Sequence, residues 1–123
     1  MNLFKELLPM RKPIIGMIHL PPLAGYEGHR PIAETRRRIL TEARHLEEAG
    51  VHAIMVENNY SVPHQEFVGR AEALEMTRLV DSVVQSVRIP VGVDVLWSGY
   101  QTALDICNAT GAQFIRVASF VDD

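Results

Sequence analysis

Four apolar runs along this 123-residue chain each carry a polar residue where side-chain alternation turns it to one shared face: His19, Glu57, Asp94 and Arg116. These side-chain types can do acid–base work. An imidazole with its ordinary pKa titrates near neutrality and can give or take a proton. A carboxylate at Glu57 or Asp94 can act as a base at a carbon next to a carbonyl, or hold a divalent cation. His19, Glu57 and Asp94 are therefore the candidate catalytic residues. Asn58, Trp97 and Arg116, at or just beyond the ends of the same runs, are candidate ligand contacts. A structural alternative stands beside this reading, since Asp94 and Arg116 could simply pair with each other and fill an interior. A metal site of His19, Glu57 and Asp94 is conceivable, but the spacing is not diagnostic and no metal is assigned. No motif names a cofactor, which stays unknown.

The elements that must position these groups follow from two segments that repeat one pattern, Glu48-Ala49-Gly50-Val51-His52-Ala53-Ile54-Met55-Val56 and Ala109-Thr110-Gly111-Ala112-Gln113-Phe114-Ile115-Arg116-Val117. In each, a helix ends at a glycine able to take the left-handed conformation, and a short apolar strand starts almost at once. That step belongs to βαβ architecture. The spacing predicts strands over 13–18, 51–57, 90–96 and 112–119, and helices from Pro31 to Ala49, Glu66 to Ser86 and Gly99 to Ala109. The first helix carries an apolar stripe of Ile32, Ile39, Leu40, Ala43 and Leu46; the second, one of Phe67, Ala71, Leu74, Val80, Val83, Val84 and Val87.

The order β-α-β-α-β-α-β with near-continuous apolar strands predicts a parallel sheet covered by helices. The fold class expected is α/β of the (β/α)8 TIM-barrel type, represented by its first four β/α units. A complete barrel needs about 250 residues. The competing doubly wound sheet lacks its usual Gly-x-Gly-x-x-Gly after the first strand, where the loop is proline-rich instead. Residues 1–123 are read as one domain.

Strand alternation then separates the faces. Val91, Val93 and Val95 point to the helices and Gly92, Asp94 and Leu96 inward. The repeat turns Met55, Glu57, Phe114 and Arg116 inward as well, and His19 shares the phase of Ile15 and Met17. Functional groups of such barrels gather at the C-terminal ends of strands and in the loops that follow. The loops over 19–30 and 58–65 are longer than a connection needs. They bring His19, His29 and His64 to that end, while His45 and His52 fall elsewhere. Trp97 can stack on a ligand or cap the core. No lysine falls on an inward strand position, which argues against Schiff-base chemistry in this half.

Composition narrows the class further. A net charge of −3 and 22% charged residues give no reason to expect nucleic acid, and Arg36-Arg37-Arg38 fits a solvated helix face. The single cysteine, Cys107, reads as a packing thiol. No apolar run reaches the roughly 20 residues of a transmembrane segment and no signal peptide is legible, so the cytoplasm is expected.

The run Lys12-Pro13-Ile14-Ile15-Gly16-Met17-Ile18-His19-Leu20-Pro21-Pro22-Leu23-Ala24-Gly25 closely resembles the opening of the BtpA family (BtpA/SgcQ-like proteins). Gly50 to Asn58, Pro90 to Leu96 and Ala109 to Val117 resemble it in the same order. The resemblance implies a phosphate-binding type of barrel about twice this length. One branch is associated with photosystem I biogenesis; others have been placed near sugar metabolism or labelled isomerase-like. Two departures stand out: the sequence stops after the fourth strand, and Asp94 stands where the family more often has Asn. The expected function is binding of a small phosphorylated or sugar-like metabolite with isomerase or lyase chemistry in a full-length protein. The alternatives are a non-catalytic assembly factor and an inactive fragment. For the chain itself, open strand edges predict self-association or docking of a missing C-terminal half.

Overall fold

The computed structural model describes residues 3–61, 69–96 and 99–117. Its elements run α1 (Leu3–Leu7), β1 (Ile15–His19), α2 (Ile32–Glu48), β2 (Ala53–Glu57), α3 (Arg70–Ser86), β3 (Val91–Asp94), α4 (Tyr100–Thr110) and β4 (Phe114–Ile115). The strands form one parallel sheet in the order β1-β2-β3-β4. One apolar cluster joins Ile18, Ile54, Val56, Val91, Val93 and Val95 of the strand segments to Ile39 and Ala43 of α2, Met76, Leu79, Val80 and Val83 of α3, and Ala103 and Ile106 of α4. All three long helices therefore cover the same side of the sheet. Sequential strand order with helices on one side is compatible with half of a barrel; a doubly wound sheet reverses its order and covers both sides.

The two glycines of the repeat do what their positions require. Gly50 (φ 92°) and Gly111 (φ 86°) both take the left-handed conformation. At the end of α2 the Gly50 N–H reaches the Glu47 carbonyl and the Val51 N–H the Leu46 carbonyl, the paired bonds of a Schellman closure. At the end of α4 the Gly111 N–H bonds the Cys107 carbonyl, and the Thr110 hydroxyl accepts the Ala112 N–H.

Two other glycines are set by space. A Cβ on Gly16 would stand 2.8 Å from a Leu46 methyl, so its absence lets α2 close on β1. A Cβ on Gly92 would fall 2.3 Å from the Phe114 ring, which lies across that position on the opposite face.

The structure differs from the sequence expectation in several places. The short helix α1 was not anticipated, and it brings Phe4 edge-on to Phe114, with centroids 5.7 Å apart. The core-facing side of α3 consists of Glu72, Met76, Leu79, Val80 and Val83, spaced i, i+4, i+7, i+8 and i+11. Leu74, expected on that side, is exposed. The apolar stripe was thus drawn about a quarter-turn off, because a buried glutamate occupies a core-facing position. Strand β4 pairs over two residues only, while its predicted end at Ser119 and the predicted helix start at Glu66 and Phe67 lie outside the described residues.

Candidate functional site

Strand register brings the four polar positions into line. His19 pairs with Glu57 and Glu57 with Asp94, while Gly92 pairs with Phe114, so Arg116 falls beside Asp94 two residues later. Its N–H bonds the Val93 carbonyl. One step down the same face runs the row Met17, Met55, Gly92 and Phe114, an apolar floor beneath a charged row. The alternation is forced by the pleat: a one-residue slip would turn the carboxylates toward the helices.

Within the row, His19 Nε2 stands 3.6 Å from Glu57 Oε1. Arg116 Nη1 lies 3.7 Å from Glu57 Oε2 and 3.4 Å from Asp94 Oδ2. The two carboxyl groups are buried, at 6% and 1% side-chain exposure, whereas His19 and Arg116 are open at 42% and 57%. The arrangement is thus a pair of sheltered acids flanked by two accessible cationic or ionisable groups. Burial pushes the Asp94 carboxyl up from 3.8 to about 7; its hydrogen bond with Glu57 and that residue's negative charge push the same way, and Arg116 opposes without prevailing. One acid of the pair therefore keeps its proton close to neutrality beside a neighbouring carboxylate.

Asn58, at the end of β2, is 1% exposed and its carboxamide is turned into the protein. Its Oδ1 accepts the Leu96 N–H at 2.6 Å, and its Nδ2 donates to the Leu96 carbonyl at 2.9 Å and to Glu72 Oε2 at 3.2 Å. Trp97 and His64 lie outside the described residues. His29 sits over α3 rather than in the row, 2.7 Å from Glu75 Oε2. At the far end of the strands His52 Nδ1 accepts the Ile14 N–H, whereas exposed His45, expected elsewhere, lines one groove with His19 and Tyr60. Cys107 packs against the core with its thiol raised by burial. Among the described residues no group of three or more His, Cys, Asp or Glu is arranged to hold a metal ion, and no helix is long and apolar enough to cross a membrane.

The sequence reading missed two acids and one aromatic. Glu72 Oε1 accepts the Tyr26 hydroxyl at 3.1 Å, and Glu75 Oε1 accepts the Ala24 N–H at 3.0 Å. Together with Ser61 Oγ, which accepts the Leu23 N–H, they fasten the β1–α2 loop across the ends of the strands. Tyr60 stands edge-on to His19, centroids 6.2 Å apart, and lines two open grooves, one of about 610 Å³ between the β1–α2 loop and α2 and one of about 390 Å³ beside β1. The available signal was the spacing Glu72-x-x-Glu75 on a helix otherwise committed to packing.

Comparison with known proteins gives this geometry its relatives. The profile of the BtpA family matches residues 10–123. The chain belongs to the BtpA family. Its relatives include the photosystem I biogenesis protein BtpA of Synechocystis, 36% identical over 95% of this chain and 41% of that protein. The putative sgc region protein SgcQ of Escherichia coli is 31% identical over 94% of this chain and 44% of its own length. An uncharacterized protein of Pyrococcus horikoshii is 34% identical over 86% of this chain and 41% of its own. The chain thus spans less than half the length of these curated BtpA-family relatives. In BtpA-family terms, all four residues of the polar row and the proline-rich β1–α2 loop fall inside the matched region.

Proposed function

We propose that the His19, Glu57, Asp94 and Arg116 row is one side of a small-molecule site at the C-terminal ends of barrel strands, and that this chain supplies the first four β/α units of an eight-unit barrel. The observation that carries the reading is the buried Glu57–Asp94 pair, in which one carboxyl holds its proton to about pH 7. A protonated acid next to a carboxylate can donate at one atom of a substrate and accept at another. That is the requirement of isomerase or lyase chemistry at a carbon beside a carbonyl. Arg116, open to solvent and within 4 Å of both acids, is placed to receive an anionic or hydroxyl-rich ligand, and His19 with Tyr60 forms the rim. The substrate class is a sugar-like or phosphorylated metabolite, and the expected compartment is the cytoplasm.

The test uses a full-length BtpA-family protein with the same four residues. A panel of aldoses, ketoses and their phosphates is screened by thermal shift, then repeated with the equivalents of His19→Ala and Glu57→Gln. The reading expects a stabilising ligand whose effect falls at least tenfold in affinity in Glu57→Gln. Ligand binding that both substitutions leave intact removes these residues from the site.

A second reading rests on the Synechocystis relative, whose name ties it to photosystem I biogenesis. On that reading the row is an internal ion-pair network holding the sheet together, and the protein acts by docking. It predicts no metabolite effect in the screen and a loss of folding stability, rather than of ligand affinity, in Glu57→Gln.

A further inference from the structure

We propose that Glu72 and Asn58 are positioning residues for the Glu57–Asp94 pair: the buried carboxylate of Glu72 orients the Asn58 carboxamide, and that carboxamide ties the exit of β3 to the exit of β2. The proposal rests on the acid–base reading of that pair and deepens it.

Asn58 directly follows Glu57 in the chain, and its partner Leu96 stands two residues past Asp94. By bonding both the N–H and the carbonyl of Leu96, the Asn58 side chain acts as an extra rung of the β2–β3 ladder beyond its last backbone pair, Glu57 with Asp94. The two acids thus stand just inside a closed end instead of at a fraying one.

That rung works in only one orientation of the amide. Turned over, Asn58 would set its NH2 against the Leu96 N–H and its oxygen against the Leu96 carbonyl. Glu72 enforces the working orientation, since its carboxylate can only accept and so selects the NH2 side.

Glu72 is 2% exposed and occupies a core-facing position of α3, and its hydrogen-bond donors among the described residues, Tyr26 and Asn58, are both uncharged. A carboxylate buried with neutral partners is costly where Leu or Met would pack. Its placement is explained by what it orients. Among the described residues the groups that face Asp94 itself are Glu57 from β2 and Arg116 after β4, with His19 of β1 one place further along the row.

The experiment follows the side-chain carboxyl 13C signals of Asp94 and Glu57 in the 123-residue chain from pH 4 to 9. The wild type is compared with Glu72→Leu, Asn58→Ala and the control Glu75→Gln, which touches the β1–α2 loop but not Asn58. Glu72→Leu leaves no acceptor for the Asn58 NH2 at that position, so the selection of the working amide orientation is lost. The expected result is an Asp94 midpoint lowered by about one unit or more, a tenfold loss of proton affinity, in both test variants and unchanged in Glu75→Gln. The two test variants are read independently, and backbone amide shifts establish that each is folded. An Asp94 midpoint that stays at its wild-type value in a folded test variant, or that falls equally in Glu75→Gln, overturns the positioning role and leaves the acid–base reading standing. An Asp94 that titrates as an ordinary carboxylate in the wild type overturns both.

Discussion

Asp94→Asn gives a stability prediction whose sign is unusual for an acidic residue. A buried aspartate paired with arginine ordinarily has a lowered pKa and loses its contribution as pH falls. Here burial and Glu57 outweigh Arg116, and the folded-state value rises from 3.8 to about 7. The folded state then binds the proton more tightly than the unfolded chain, so stability declines as pH rises between those two values and is level above them. At about 1.4 kcal/mol per unit, the full penalty is on the order of 4 kcal/mol. More than half of it arises between pH 5 and pH 8. An asparagine resembles the protonated acid: its amide can donate to Glu57 and it never ionises. Urea unfolding of wild type and Asp94→Asn at pH 5 and pH 8 should therefore show the variant gaining on the wild type by roughly 2–3 kcal/mol across that interval. A difference independent of pH, or one moving against the variant as pH rises, refutes the argument.

Other perturbations bear on the scaffold. Gly92→Ala places a methyl within the Phe114 ring's space and should cost about 1–3 kcal/mol by displacing Phe114 and Phe4; a midpoint shift worth less than about 0.5 kcal/mol would show that the ring swings away freely. Gly50→Ala must hold φ near 92° and should cost about 1 kcal/mol in the same assay, with an unchanged midpoint counting against the Schellman closure. His29→Ala removes one anchor of the β1–α2 loop, so hydrogen exchange should quicken at the Ala24 and Tyr26 amides and stay unchanged at Met55. Ile14, just before β1, and Met17 on it are exposed, and β1 pairs only with β2 among the described strands. Light scattering should accordingly show self-association that rises with concentration and weakens in Met17→Lys.

Much of the architecture could be read from local chemistry. Gly50 and Gly111 mark helix ends because a left-handed residue is required there, and the strand that follows each inherits a fixed phase. From that phase came the inward turn of Glu57 and Arg116, and the valines of β3 gave the inward turn of Asp94. What stayed hidden depended on partners distant in sequence. Glu72 looks like a solvated helical acid until Tyr26 and Asn58, 46 and 14 residues away, close on it. Asn58 sits where a ligand contact would, and only the nearness of Leu96 shows that its amide is spent on the fold. Helix α1 is too short to declare itself by periodicity, and its place is set by Phe114.

The central claim is that Glu57 and Asp94 move protons on a bound metabolite. Its most direct test incubates a full-length BtpA-family protein bearing the four-residue row with carbonyl sugars and sugar phosphates in deuterated water, and follows loss of the proton next to the carbonyl by NMR. Protein-dependent exchange is expected for at least one compound, abolished by the equivalent of Glu57→Gln. Exchange that survives that substitution, or no exchange with any compound of the class, contradicts it.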